Sequence, residues 1–226
     1  MKLFIVIPAF NEASVISQVL NKIPKKIKNV NSIETIVIND GSTDQTSKIS
    51  KRENVIVLDH ILNRGAGAAT KTGIEYAKRN KADIVITFDA DGQHDHMDIL
   101  EIIKPVIANK ADLVIGSRFL KKQKVPTDRF LLNKGANVVT LLLFGALSSD
   151  SQSGLRAFSK HATELIDFKS DRMEFSSEIL LEAKRNNLKV VEIPVRAIYT
   201  SYSKAKGQKN RNALPIFIRF LVKLLR

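Results

Sequence analysis

The chain has 226 residues, no cysteine, 44% hydrophobic residues and a net charge of +13 at pH 7. The lack of cysteine excludes disulfides and thiolate metal sites, and the length fits one core with room for a small C-terminal appendage. No apolar run reaches the roughly 18 residues that cross a bilayer, and Leu3–Ile7 is too short for a signal-peptide core before Pro8, Asn11 and Glu12 interrupt it, so a soluble or peripheral protein is expected.

The first half alternates in type. Leu3–Ile7, Thr35–Ile38, Val55–Leu58, Ile84–Phe88 and Leu113–Ile115 are short runs rich in Val and Ile, which read as strands buried on both faces. Between them Ala13–Lys22, Gln45–Arg52, Gly67–Arg79 and Met97–Ala108 carry apolar residues at helical spacing. Such alternation predicts an α/β domain with a mainly parallel sheet and helices on both faces. Beyond Arg118 the pattern loosens. Lys121–Asp128 is basic and aperiodic, a predicted mobile loop; Asn133–Leu147 is helical and unusually apolar; Asp150–Phe158 is a turn and then a strand. Glu174–Arg185 reads as a helix, Lys189–Val195 as a strand, Thr200–Asn212 as a flexible basic segment and Leu214–Arg226 as a helix.

Ligands of such sheets bind outside the carboxyl ends of the strands. Three polar clusters fall there: Pro8–Glu12, Asn39–Ser42 and Asp89–Asp91. Asp89 and Asp91 stand one residue apart just past a strand, a costly pair without a cation between them. Hard cations such as Mg²⁺ are held by a few carboxylates together with substrate phosphates. Asp40 is placed to accept hydrogen bonds from a nucleobase edge, while Ser42 or Thr43 is a candidate helix N-cap. His94 is a candidate ligand, since imidazole suits Mn²⁺ moderately, or a surface residue near a helix start. Arg118 and Arg129 offer the planar fork that suits phosphate. Gly65-Ala66-Gly67 is a weak dinucleotide signal and is better read as a tightly packed helix start, with Arg64 in reach of a diphosphate. Asp150–Arg156 places acid, amide, hydroxyl and base within one short run.

Taken in order, Pro8–Glu12, Asn39–Asp44, Asp89-Ala90-Asp91 and Gly116-Ser117-Arg118 resemble the inverting family 2 glycosyltransferases of GT-A fold. With Asp150-x-Gln152-Ser153-Gly154-x-Arg156 the chain is similar to the dolichyl-phosphate mannose and glucose synthases, from about Lys2 to about Tyr202. Beyond that stretch, 203–226 read from their own residues as a basic flexible segment with an amphipathic helix that suits a membrane interface. The resemblance implies a catalytic domain over 1–202. It implies a nucleotide-sugar site of Pro8, Ala9, Phe10, Glu12, Ile38, Asp40, Asp89, Ala90 and Gln93. Asp89, Asp91 and Gln93 would hold Mg²⁺ or Mn²⁺, and Asp91, Arg118, Arg129 and Asp150 would serve catalysis. The resemblance further implies a UDP- or GDP-sugar as donor and a polyprenyl phosphate as acceptor, at the cytoplasmic face of a membrane. Phe10 stands where the family often has Tyr, and Tyr199–Lys204 lacks the arginine and glycine common in mannose synthases, which keeps UDP-glucose and UDP-N-acetylglucosamine open as donors.

A phosphate acceptor is anionic already and requires no strong base, whereas a sugar hydroxyl would require one, with Asp150 or Glu178 as candidates. A nucleotidyltransferase is the alternative enzyme class, but it would place a Gly-rich basic loop where Pro8–Glu12 stands. A nucleic-acid-binding module is disfavoured, with no Trp and three Tyr in the chain. Residues 184–226 hold eleven Lys or Arg and one acid, Glu192, which suits an anionic lipid surface.

Overall fold

The computed structural model describes residues 1–121, 123, 125–199 and 202. The expected tail helix Leu214–Arg226 and, apart from Tyr202, the expected flexible segment Thr200–Asn212 lie outside the described residues. Among the described residues seven strands form one sheet: β1 (Lys2–Ala9), β2 (Ser32–Asp40), β3 (Ile56–His60), β4 (Ile84–Thr87), β5 (Leu113–Ser117), β6 (Arg156–Ser159) and β7 (Val190–Pro194), in the order β3-β2-β1-β4-β6-β5-β7. Alternate residues of β1 face opposite layers. Leu3, Ile5 and Ile7 join one core, under α1 (Ile16–Lys22), α4 (Asp98–Ile102) and α5 (Lys104–Ile107). Phe4 and Val6 join the other, under α3 (Ala66–Arg79), α7 (Lys160–Leu165) and α8 (Phe175–Arg185). Helix α2 (Thr46–Ser50) precedes β3, and α6 (Thr127–Phe144) follows β5. Burial on both faces is why β1, β4 and β5 read as unbroken apolar runs rather than as alternating ones.

All neighbouring strands are parallel except β6, which runs antiparallel to both β4 and β5. After β5 the chain leaves through α6 and re-enters the sheet from the strands' carboxyl end, so β6 must run backwards. That re-entry brings the polar run Asp150–Arg156 to the rim that carries Asp89. The helix expected over Met97–Ala108 is two, broken at Ile103. Pro105 has no N–H to give and its ring crowds the preceding turn. Helix α6 starts at Thr127, not Asn133, because Pro126 already sets extended backbone at the N-cap. It ends where Gly145 turns left-handed (φ 59°) and donates its N–H to Leu141 O at 2.7 Å.

Candidate active site

The acidic pair occupies the loop after β4. Gly92 has φ +74°, a conformation suited to glycine, and the turn it makes aims the Gln93 N–H at Asp91 Oδ1 at 3.0 Å. The Gln93 side-chain amide also contacts Asp91 Oδ2, and its Oε1 accepts from Arg129 Nη1 at 2.8 Å. The Asp89 side chain is 48% exposed and its Oδ2 accepts from His94 Nε2 at 2.8 Å. His94 is buried, its ring packs on Phe88 at 5.4 Å, and its Nδ1 has no partner among the described residues. The imidazole therefore supports Asp89 from behind.

Partial desolvation by the surrounding protein works against the Asp89 charge, but the charge and hydrogen bond of His94 and the charges of Arg118 and Arg156 overcome this and hold its pKa below the ordinary value of 3.8. Burial and the adjacent Asp89 charge push Asp91 above that value, with Gln93 and His94 offsetting only part. A site with one carboxylate resisting ionisation fits a divalent cation, which relieves the repulsion. Among the described residues no group of three or more His, Cys, Asp or Glu surrounds a metal position. Asp89, Asp91 and the Gln93 amide could supply only part of an oxygen set, and substrate phosphates are what commonly complete such a set around Mg²⁺.

Opposite the acidic pair, Arg118 follows β5 and grips Asp150 with a bidentate fork, Nε to Oδ2 at 2.7 Å and Nη2 to Oδ1 at 2.7 Å. The Arg118 backbone N–H also donates to Oδ2, at 3.0 Å. Asp150 is fully buried. Burial acts against the Arg118 charge, but Asp150 outweighs it and raises the guanidinium pKa further. Arg156 is buried, and among the described residues no carboxylate is in hydrogen-bond contact with it. It donates to the carbonyls of Ser153, Ser176 and Ser151 at 3.0, 2.8 and 2.7 Å. Burial brings it down to about 10, against the pull of Asp150 and Asp89, so it stays charged at neutral pH. A cavity of about 120 Å³ lies among Pro8, Thr87, Asp89, Gln152, Gly154 and Arg156. A larger groove of about 570 Å³, beside α3 around Arg64, Lys71 and Arg79, includes neither Asp89 nor Asp91.

Several expected site residues lie elsewhere than anticipated. Ile38 is wholly buried in the core with Phe4 and Val6, so its side chain cannot contact a nucleotide. Ala9 and Ala90 are core residues as well, which leaves only their backbone for the site. Asp40 is buried and already engaged. Its Oδ1 faces His60 Nδ1 at 2.7 Å and accepts from Arg64 N at 3.1 Å, and its Oδ2 accepts from Gly65 N at 2.7 Å. It anchors the β3–α3 loop rather than standing open to a base. Ser42 caps no helix; its hydroxyl accepts from Asn11 N at 2.9 Å and α2 begins only at Thr46. Glu178 accepts from Lys169 N and Ser170 N, at 3.0 and 2.8 Å, and fixes that loop. Gly65-Ala66-Gly67 is the tight helix start expected: a Cβ on Gly67 would lie 2.1 Å from Ser170 O. Arg64 instead reaches Asp171 at 3.4 Å on the surface.

Phe10 is 40% exposed at the rim beside buried Glu12. Sequence reasoning missed the segment that meets Glu12: Tyr202 Oη donates to Glu12 Oε2 at 2.8 Å, and Tyr199 lies under Arg129 at 5.5 Å. Two tyrosines in a polar basic stretch were the available signal. It also missed Gln123, whose amide bonds Arg118 O, Val195 O and Ala197 N at 2.5, 3.0 and 3.0 Å. These bonds hold Gln123 itself, which belongs to the stretch expected to be mobile.

Residues 4–166 match the family described as Glycosyl transferase family 2. An uncharacterized protein of Methanocaldococcus jannaschii is 44% identical over 98% of this chain and 91% of that protein. The UDP-N-acetylglucosamine–dolichyl-phosphate N-acetylglucosaminyltransferase of Methanococcus voltae is 38% identical over 97% of this chain and 95% of that protein. Glucosyl-3-phosphoglycerate synthase from Mycobacterium tuberculosis, solved with Mn²⁺, UDP-glucose and phosphoglyceric acid, superposes with a TM-score of 0.74 at 18% identity. That match covers 99% of this chain and 78% of that one, and establishes the shared fold. With a matched family segment over most of its length and an acidic pair at the carboxyl rim of a GT-A sheet, this chain belongs to glycosyl transferase family 2 and is a glycosyltransferase.

Proposed function

We propose that the chain transfers N-acetylglucosamine from its UDP derivative to a polyprenyl phosphate of the dolichyl type, with inversion and with Mg²⁺ or Mn²⁺. One observation carries this reading: the acidic pair shares a rim with Arg118 and Arg129, while both carboxylates considered as bases are engaged, Asp150 by Arg118 and Glu178 by backbone N–H groups. A hydroxyl acceptor needs an open base, whereas a phosphate monoester, with its second pKa near about 6, arrives ionised. The Methanococcus voltae relative, named for UDP-N-acetylglucosamine and dolichyl phosphate, supports the donor and acceptor, as does the absence of the mannose-synthase arginine and glycine from Tyr199–Lys204.

The attack at the anomeric carbon is a single displacement, so alignment and leaving-group stabilisation are the main tasks. A bound divalent cation would neutralise charge gathering on the departing diphosphate. Asp89 and Asp91 would hold it, with His94 steadying Asp89 and Arg129 steadying Gln93. Phe10 and Glu12 would face the nucleoside. Arg118, oriented by Asp150, and Arg129 would bind phosphate oxygens. Residues 1–202 form the catalytic unit in this reading, and 203–226 the basic appendage that meets the cytoplasmic face of the membrane carrying the acceptor. Nucleic acid is not a partner.

The test is incubation with dolichyl phosphate, Mn²⁺ or Mg²⁺, and UDP-N-acetylglucosamine, UDP-glucose or GDP-mannose, followed by mass spectrometry of the lipid fraction. The lipid-phosphate N-acetylglucosamine is expected, with UDP released. Transfer only to sugar hydroxyls would overturn the acceptor, preference for GDP-mannose the donor, and release of pyrophosphate the reaction itself.

A further inference from the structure

Helix α6 is amphipathic in the reverse of the usual sense. Surface helices turn charged residues outward. Here the exposed positions of the helix body are Leu131, Lys134, Gly135, Val138, Leu141 and Leu142, with Leu131 64%, Val138 54% and Leu142 76% accessible. Residues 131, 135, 138 and 142 repeat every three or four positions and lie on one line. The opposite face is polar and joined to the site. Arg129 bonds Gln93, Asn133 Oδ1 lies 3.5 Å from Arg118 Nη2, Asn137 donates to Ser149 O at 2.7 Å, and Thr140 meets Ser177 at 2.8 Å. The polar side therefore fixes the helix, and the leucines are left facing out.

The stripe is flanked by exposed apolar residues, Leu120 beyond one end and Leu147 beyond the other. Cations border it: no Asp or Glu occurs from Arg129 to Ser149, Lys121 and Lys134 are exposed, and Lys184 donates to Gly145 O at 2.8 Å where the helix ends. Among the described residues no helix is long and apolar enough to cross a membrane. An apolar face bordered by cations on a chain of net charge +13 complements an anionic bilayer surface.

We infer that α6 docks flat on an anionic lipid bilayer through Leu131, Val138 and Leu142, with its polar face holding Arg129 and Asn133 over the reaction site. The role in catalysis rests on the polyprenyl-phosphate reading; the docking itself does not. Leucines in the acyl boundary would put Arg118 and Arg129 near the depth at which a membrane-embedded acceptor presents its phosphate.

The experiment uses the full chain, with vesicles of phosphatidylcholine alone or with phosphatidylglycerol added. Flotation should recover wild-type protein with the anionic vesicles. Replacing Leu131, Val138 and Leu142 together by Ser should lower the partition coefficient at least about tenfold, and Leu142→Ser alone should lower it less, both with unchanged melting temperature. With polyprenyl phosphate in those vesicles, kcat/KM should fall in parallel; with a short, water-soluble isoprenyl phosphate it should not move. Unchanged flotation of either variant overturns the inference. So does a wild-type dimer that the triple variant abolishes without any vesicle binding, since the stripe would then be an interface between copies. If wild-type protein glycosylates neither acceptor, the functional reading fails while flotation still decides the docking.

Discussion

Gly154 offers the sharpest perturbation of the acidic pair. A Cβ at this position would lie 2.2 Å from both carboxylate oxygens of Asp89 and 2.4 Å from its Cγ. Ordinary contact is more than 3 Å, so Gly154→Ala forces either residue 154 or Asp89 to retreat. Residue 154 is the less free of the two, because its carbonyl accepts from Thr87 Oγ1 at 2.7 Å and the adjacent Leu155 is wholly buried. Asp89 is half exposed, and moving it breaks its bond with His94. Gly154 is not among the glycines with positive φ, so alanine suits the backbone and the effect is confined to the clash. Displacing Asp89 by roughly 1 Å should cost about 10²-fold in kcat/KM, and loss of the supporting histidine contact about 10–100-fold in metal affinity. Mn²⁺ binding followed by electron paramagnetic resonance, UDP release and a thermal melt read these out. A variant that binds Mn²⁺ and turns over within about twofold of wild type would refute the placement of Asp89 against this loop.

Asp91→Asn tests the electrostatics. The pKa of Asp91 is raised by burial and by Asp89, so the fold binds its proton more tightly than the unfolded chain does, and ionisation costs stability. The cost is full above the raised folded-state pKa and vanishes below the ordinary value of 3.8. In EDTA at pH 7 the Asn variant should therefore melt higher than wild type, with the difference fading on acidification; Mn²⁺ should stabilise wild type alone, and a lower melting point for the variant in EDTA would contradict the argument. Arg118→Ala strands buried Asp150 without its partner and should destabilise by about 3–5 kcal/mol in denaturant titration; a loss below about 1 kcal/mol would mean the pair is solvated. Asp150→Asn should lower turnover of polyprenyl phosphate by misaligning Arg118 but leave the pH profile unshifted. A reduction of roughly 10²–10⁴ with the acidic-side pH dependence removed would instead mark Asp150 as a base.

The apolar runs were enough to place β1, β4 and β5 because each is buried on both faces, and edge strand β3 because Val57 packs against one core and Ile56 and Leu58 against the other; the acidic pair was legible because it follows such a run. Side-chain partnerships across long stretches of chain were not. Nothing near Asp40 announces that His60, Arg64 and Gly65 would converge on its carboxylate, and motif adjacency placed Ile38 in the site although strand alternation turns it into the core. The reversal of β6 depends on where the chain re-enters the sheet, which local propensity does not encode. Tyr202 meets Glu12 across 190 residues, a contact of the folded molecule alone. The apolarity of Val138–Leu147 was plain, but only the packing of α6 distinguishes its outward leucines from core residues.

The central claim is that the acidic rim delivers a UDP-sugar to an ionised lipid phosphate. Its most direct measurement is the structure of the product of UDP-N-acetylglucosamine and dolichyl phosphate with Mn²⁺, by mass spectrometry and by NMR of the anomeric centre. The account predicts an N-acetylglucosaminyl lipid monophosphate, inverted relative to the donor, with UDP as the second product. A lipid diphosphate-linked sugar with UMP released, or a product of retained configuration, would contradict it.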